Sequence, residues 1–168
     1  MSKIYTGRGY VYSIEYHIVW CVKYQHNALT SEIERRLREI LYKIAEDNKF
    51  KITEINIEAD HVYITAECSP QHFIPDVIKA VKGVSARLLM KEFGEELSAG
   101  QKLHSEHAAE GHTGNSANRY RSFRRYRAKP ADIEPVHLWS PSYFIATASE
   151  DLESHIKEYI EWQKETQV

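Results

Sequence analysis

The chain has 168 residues, 42% of them apolar and 27% charged, with a net formal charge of −2. That is enough chain for one domain with a real hydrophobic core, and the near-neutral balance argues against a protein that coats nucleic acid nonspecifically. No apolar run approaches the roughly 20 residues of a membrane helix, and Met1-Ser2-Lys3-Ile4-Tyr5 lacks the apolar core of a signal peptide, so a cytoplasmic protein without membrane partners is expected.

Taken in chain order, the first clear signal is alternation from Tyr10 to Tyr24. Tyr10, Tyr12, Ile14, Tyr16, Ile18, Trp20 and Val22 fall on one face and Val11, Ser13, Glu15, His17, Val19 and Cys21 on the other. Period two and β-forming residues predict one long strand. Ser31-Glu32-Ile33-Glu34 reads as a capping box, and Ile33, Leu37, Ile40, Leu41 and Ile44 follow at helical spacing to about Asn48. Lys51–Glu58 and His61–Glu67 read as two short strands joined by a tight turn at Ala59-Asp60. Pro75 suits the first turn of a second helix, which Val77, Val81, Val84, Leu88 and Leu89 carry to about Phe93. Cys21 and Cys68 lie in predicted strands without Cys-x-x-Cys spacing and read as small buried hydrophobes.

From about Glu95 to Val136 the chain turns rich in Gly, Ser, His and Arg, without a sustained period. A structureless stretch of that length predicts a flexible insertion, at about 98–137, within a single domain spanning 1–168. His104, His107 and His112 lie in it without the fourth ligand that a structural zinc site needs. Arg119 to Lys129 interleaves six cations with three aromatics, a mixture that can pair phosphates and stack bases but also suits a solvated loop. Order returns at Leu138-Trp139-Ser140-Pro141-Ser142-Tyr143-Phe144-Ile145-Ala146-Thr147, a short strand entered through a Pro turn. Ser149 can cap a last helix carrying Leu152, Ile156, Tyr159, Ile160 and Gln163. The predicted order β-α-β-β-α-β-α gives an α+β fold, a ferredoxin-like (βαββαβ) antiparallel sheet with helices on one face, plus a C-terminal helix.

Two pairs of residues could carry chemistry. Side chains two apart on a strand share a face, so His61 and Tyr63 point the same way, opposite Val62, Ile64 and Ala66. Tyr159 and Gln163, at i and i+4, stack on one side of the last helix. Each pair alone has a structural reading: a histidine on a sheet face, and a tyrosine on the inner side of an amphipathic helix.

Together they resemble the HUH-superfamily single-tyrosine transposases of bacterial and archaeal insertion sequences, the insertion-sequence-200-like enzymes. The resemblance runs through Gly7-Arg8-Gly9-Tyr10-Val11-Tyr12, Glu15-Tyr16-His17-Ile18-Val19-Trp20-Cys21-Val22-Lys23-Tyr24 and Asp60-His61-Val62. It continues through Ile78-Lys79-Ala80-Val81-Lys82-Gly83-Val84-Ser85-Ala86-Arg87, Leu138 to Phe144 and Tyr159-Ile160-Glu161-Trp162-Gln163.

The resemblance implies that Tyr159 attacks a backbone phosphorus of single-stranded DNA, leaving a 5′-phosphotyrosine and a free 3′-hydroxyl. It implies a Mg2+ or Mn2+ ion held by His61, by the residue at position 63 and by Gln163. It further implies recognition of DNA hairpins at the element's ends and a homodimer, which the long apolar strand from Tyr10 to Tyr24, if it lies at an edge, would also favour. Arg8, Lys23, Lys79, Lys82 and Arg87 lie in the matching segments and are the candidates for DNA contact. The sequence departs from the family pattern at Tyr63, where the family has histidine, and in the insertion. A neutral phenol is a weak donor to a divalent ion, so impaired cleavage is expected. The alternative is a non-catalytic hairpin-DNA-binding protein descended from such an enzyme. An RNA-binding ferredoxin-like module is less favoured, since no RNP-type aromatic run is present.

Overall fold

The structure, a computed structural model, describes residues 4–23, 27–108, 137–147 and 152–166. A small hairpin comes first: β1 (Tyr5–Gly7) pairs antiparallel with β2 (Tyr10–Tyr12). Gly9 turns the hairpin at φ +88°, a left-handed conformation that glycine adopts without strain. At Gly7 a side chain would collide with the Tyr10 ring lying over it. The single long strand expected over Tyr10–Tyr24 is therefore two strands, β2 and β3 (Glu15–Cys21), in separate sheets. Alternation survives the break because two residues, Ser13 and Ile14, separate the two strands and preserve the parity of the faces.

The main sheet is antiparallel in the order β4-β5-β3-β6, where β4 is Lys51–Ile57, β5 is His61–Glu67 and β6 is Phe144–Ala146. The order is that of a ferredoxin-like fold, as expected. Strand β3 lies inside the sheet, paired with β5 on one side and β6 on the other. It offers no open edge, which removes that argument for a dimer. The turn at Ala59-Asp60 closes as predicted, with Glu58 N–H donating to the His61 carbonyl at 2.9 Å.

One face of the sheet buries Ile18, Trp20, Val62, Ile64 and Ala66 against α1 (Ser31–Asp47) and a second helical unit on the same face. Full burial of each large aliphatic side chain here contributes about 1.5–3 kcal/mol. Helix α1 starts one residue earlier than the capping box implied. Thr30 is the N-cap and makes no side-chain cap bond; its Oγ1 instead donates to Glu96 at 3.4 Å. That second unit comprises α2 (Ile74–Lys79), a π-helical segment (Ala80–Val84) and α3 (Ser85–Ala108). Arg36 of α1 clamps Glu92 of α3 through two bonds of 2.7 and 2.8 Å.

Backbone angles leave the helical range at Phe93 (φ −125°, ψ 24°), where the sequence suggested an end, but the helix resumes to Ala108. The first part of the expected insertion is thus helical, and His104 and His107 lie on that helix. The remainder of the insertion, with His112 and the Arg119–Lys129 run, falls outside the described residues, as does the Ser149 cap. The last helix, α4 (Leu152–Thr166), crosses the opposite face of the sheet. Among the described residues no helix is long and apolar enough to cross a membrane.

Candidate active site

The face of the sheet turned away from α1 carries His17, Val19 and Cys21 on β3, in register with Thr65, Tyr63 and His61 on β5. Phe144 on β6 lies beside Val19. Ile156, Tyr159, Ile160 and Trp162 of α4 pack on this apolar patch. Helical spacing on α4 and period two on β5 therefore converge, and Tyr63 and Tyr159 belong to one cluster.

Tyr159 is 8% exposed, with its ring 5.9 Å from Phe144 and 6.2 Å from Trp162. Burial raises its pKa well above the ordinary phenol value, so the group is a neutral phenol at physiological pH. Its hydroxyl meets Ser142 Oγ at 3.1 Å. Ser142 Oγ is 3.0 Å from Ser140 Oγ, and Ser140 Oγ donates to Gln163 Oε1 at 2.8 Å. One chain of four polar groups thus links Tyr159 to Gln163, one turn later on α4. The two serines flank Pro141 in an arch leading into β6. Ser140 N–H bonds the Cys21 carbonyl at 2.9 Å, which anchors the arch at the end of β3. The sequence places these serines in a turn; their role becomes visible only when α4 folds onto the sheet.

His61 Nδ1 lies 2.7 Å from Asp60 Oδ1. A carboxylate at Nδ1 fixes that nitrogen as the N–H and leaves the Nε2 lone pair as the ligating position, the second-shell arrangement common around metal-bound imidazoles. The bond from His61 is the main cause holding Asp60 below the ordinary carboxylate range. Asp60 Oδ2 is also 3.9 Å from Lys164 Nζ on α4.

Tyr63 is turned elsewhere. Its hydroxyl lies 2.8 Å from His17 Nδ1 and 3.0 Å from Thr65 Oγ1, and Thr65 Oγ1 donates in turn to Glu54 at 3.5 Å. Burial raises its pKa, so it too stays protonated. Among the described residues no group of three or more His, Cys, Asp or Glu is arranged to hold a metal ion.

The candidate DNA-contacting cations divide. Arg8 at the β1–β2 turn, Lys79 and Arg87 are exposed, and Lys23 is half-buried. Lys82 is drawn inward: Nζ donates to the carbonyls of Ser140 (2.8 Å) and Ser142 (2.6 Å) and sits 5.6 Å from the Tyr143 ring centroid. Burial pulls its pKa down to about 8, which keeps it charged at neutral pH. Hydrogen bonds from a charged donor contribute about 1.5–3 kcal/mol each. Lys82 and Arg87 also line a groove with His137, Trp139 and Pro141.

Comparison with known proteins places this geometry in context. The family described as "Transposase IS200 like" matches residues 10–117. The ISDra2 transposase TnpA of Deinococcus radiodurans is 35% identical over 157 residues, covering 94% of this chain and 89% of that protein. The transposase for insertion sequence element IS200 of Salmonella typhimurium is 31% identical over 84 residues, half of this chain and 55% of its own length. A crystal structure from Deinococcus radiodurans, assigned there as a transposase, superimposes with a TM-score of 0.68 at 33% identity. That match covers 95% of this chain and 97% of the other.

Proposed function

The chain belongs to the IS200-like transposase family, and from that premise we propose that it cleaves and rejoins single-stranded DNA at insertion-sequence ends, with Tyr159 as the attacking group. The observation that carries this reading is the linked pair on α4. Tyr159 and Gln163 share one buried side of the helix, tied through the Ser142–Ser140 hydroxyls, over the strand that bears His61.

In the proposed step the Tyr159 oxygen forms a bond to a backbone phosphorus and the P–O3′ bond breaks. The phenolic proton is lost and the departing 3′-oxygen gains one. The phosphotyrosine retains the energy of the broken phosphodiester, so attack by a 3′-hydroxyl reverses the step without ATP. A buried neutral phenol is a poor nucleophile, so DNA entry has to loosen the apolar packing around Tyr159 or bring charge that favours the phenolate.

The Mg2+ or Mn2+ ion implied by the family would supply polarisation of the scissile phosphate. The donors present fit it incompletely. His61, oriented by Asp60, suits the role, and Gln163 offers an amide oxygen that already accepts from Ser140. The Tyr63 oxygen is engaged by His17 and Thr65, and as a neutral phenol it is a weak ligand. Slow cleavage is therefore expected of this donor set. The protein acts on hairpin-bearing strands as a homodimer in this reading, which rests on the family likeness, since β3 lies inside the sheet.

The experiment is a denaturing-gel assay of single-stranded hairpin DNA with Mn2+, labelled at either side of the cut. Covalent transfer of the 5′-phosphate side to protein is expected. Hairpin binding with no adduct at any metal concentration would instead leave a non-catalytic DNA-binding protein.

A further inference from the structure

Tyr159 and Gln163 are held by the same short arch, and something must hold the arch. Ser140 and Ser142 face α4 with their hydroxyls, while their carbonyls both accept from one ammonium, Lys82 Nζ. Tyr143, between them and Phe144, covers that ammonium with its ring. Lys82 belongs to the π-helical segment Ala80–Val84. Such a segment inside a helix widens one turn and re-aims its side chains, and it recurs at functional sites. The next residue after it, Ser85, bonds back to the Val81 and Lys82 carbonyls and accepts from Trp139 Nε1 at 3.0 Å. The arch is therefore fastened at its start by Trp139 and along its length by Lys82, both to the same helical turn.

We propose that Lys82 is a positioning residue for Tyr159: by holding the Ser140 and Ser142 carbonyls it sets the two hydroxyls that seat Tyr159 and Gln163 on the sheet. Lys82 acts through the arch, without touching DNA. The catalytic consequence rests on the reading of Tyr159 as the attacking group; the structural consequence does not. Without the ammonium, two part-buried carbonyls lose their shared donor and the arch relaxes, so α4 loses its attachment through the Ser140 and Ser142 hydroxyls and keeps its apolar packing and the Asp60–Lys164 pair.

The test compares the parent chain with Lys82→Met, which keeps the aliphatic stem, and with Ser142→Ala, which removes only the hydroxyl facing Tyr159. Three quantities are read: amide exchange along 152–166, the 13Cζ signal of Tyr159 (assigned by its loss in Tyr159→Phe), and the affinity for a hairpin-bearing single-stranded oligonucleotide set against the single-turnover cleavage rate at saturating DNA. Both variants are expected to speed α4 exchange at least tenfold and to shift the Tyr159 signal. Both should hold the Kd within twofold while the rate at saturation changes at least tenfold. Unchanged exchange and an unmoved Tyr159 signal in Lys82→Met would overturn the proposal. So would a Kd weakened fivefold or more with the saturated rate retained, which is the mark of a phosphate contact. If Lys82→Met fails to fold, Ser142→Ala decides: an α4 as protected as the parent's sinks the idea. Exchange and the Tyr159 signal need no cleavage, so a Tyr159→Phe variant that still cuts DNA would remove the proposed function and leave this result standing or falling by itself.

Discussion

The Tyr63 hydroxyl lies 2.8 Å from Nδ1 of His17 on the neighbouring strand, and its nearest other partner is Thr65, two residues further along its own strand. Both partners lie on the side away from His61. In the β3–β5 register His61 faces Cys21, while His17 faces Thr65. The tyrosine has thus joined a structural network reaching Glu54 on β4, and its oxygen is drawn away from the imidazole with which it shares a face.

Replacing that tyrosine with histidine follows directly. In Tyr63→His the ring is shorter, the link to His17 is broken or shortened, and two imidazoles stand two residues apart on one face. Manganese affinity should rise by at least the 10–100-fold that supporting residues of metal sites typically contribute, and cleavage of hairpin-bearing strands should rise with it. Isothermal titration with Mn2+ and a single-turnover assay measure the two effects. A variant that binds Mn2+ no better than the parent would show that position 63 is not where the metal site is lost.

Tyr159→Phe keeps the ring against Phe144 and Trp162 and removes only the oxygen. Adduct formation should vanish altogether. Stability should fall by only about 1 kcal/mol, the net contribution of one hydrogen bond, here the one to Ser142. Urea midpoints and a denaturing gel read both quantities. Residual adduct in this variant would assign the nucleophile to another residue.

The succession of elements, both core helices and the two chemical faces are legible because each depends on periodicity. Val62, Ile64 and Ala66 point to the core and Tyr63 to the other side, as alternation requires. What periodicity cannot encode is partner choice. Val11 and Val19 alternate alike, yet Val11 pairs with Thr6 in a hairpin and Val19 with Tyr63 and Phe144. The same limit hid the roles of Ser140, Ser142 and Lys82. A lysine in a segment resembling DNA-binding relatives reads as a phosphate contact until the carbonyls 58 and 60 residues away are seen beside it. Alternation also puts His17 on the face that bears Tyr63, but the bond between them depends on strand register.

Among the cations, exposure separates two expected behaviours. Substituting Arg8, Lys79 or Arg87 by an uncharged residue should weaken hairpin binding. For each lost phosphate contact the log–log salt slope should fall by about 0.7–0.9. Lys23 should act in the same direction. Lys82→Met should leave the slope unaltered, because its ammonium is occupied by the arch. Fluorescence anisotropy across a salt series distinguishes these cases; a slope unchanged in the three exposed-site variants and in the Lys23 variant would remove all four residues from the DNA interface.

Asp60 supplies the pH-dependent expectation. The His61 bond at 2.7 Å, helped by the charge of Lys164, holds its carboxyl below the ordinary value of 3.8, against the opposing pull of burial. A carboxyl whose folded pKa is depressed contributes stability in full above its unfolded pKa, because there the charged form is present and better partnered in the folded state. Between the two pKa values the unfolded chain binds more protons, so stability falls as pH drops through that window and the contribution is gone below the folded value. Asp60→Asn cannot carry the charge. Its urea midpoint should lie below the parent's at pH 6, by the equivalent of about 1 kcal/mol or less for a solvent-screened pair. The gap should narrow as pH falls below about 3.8, toward equality once the parent carboxyl is protonated. Equal midpoints at pH 6, or a gap that stays constant down to pH 3, would mean that the Asp60–His61 bond does not orient the imidazole through its charge.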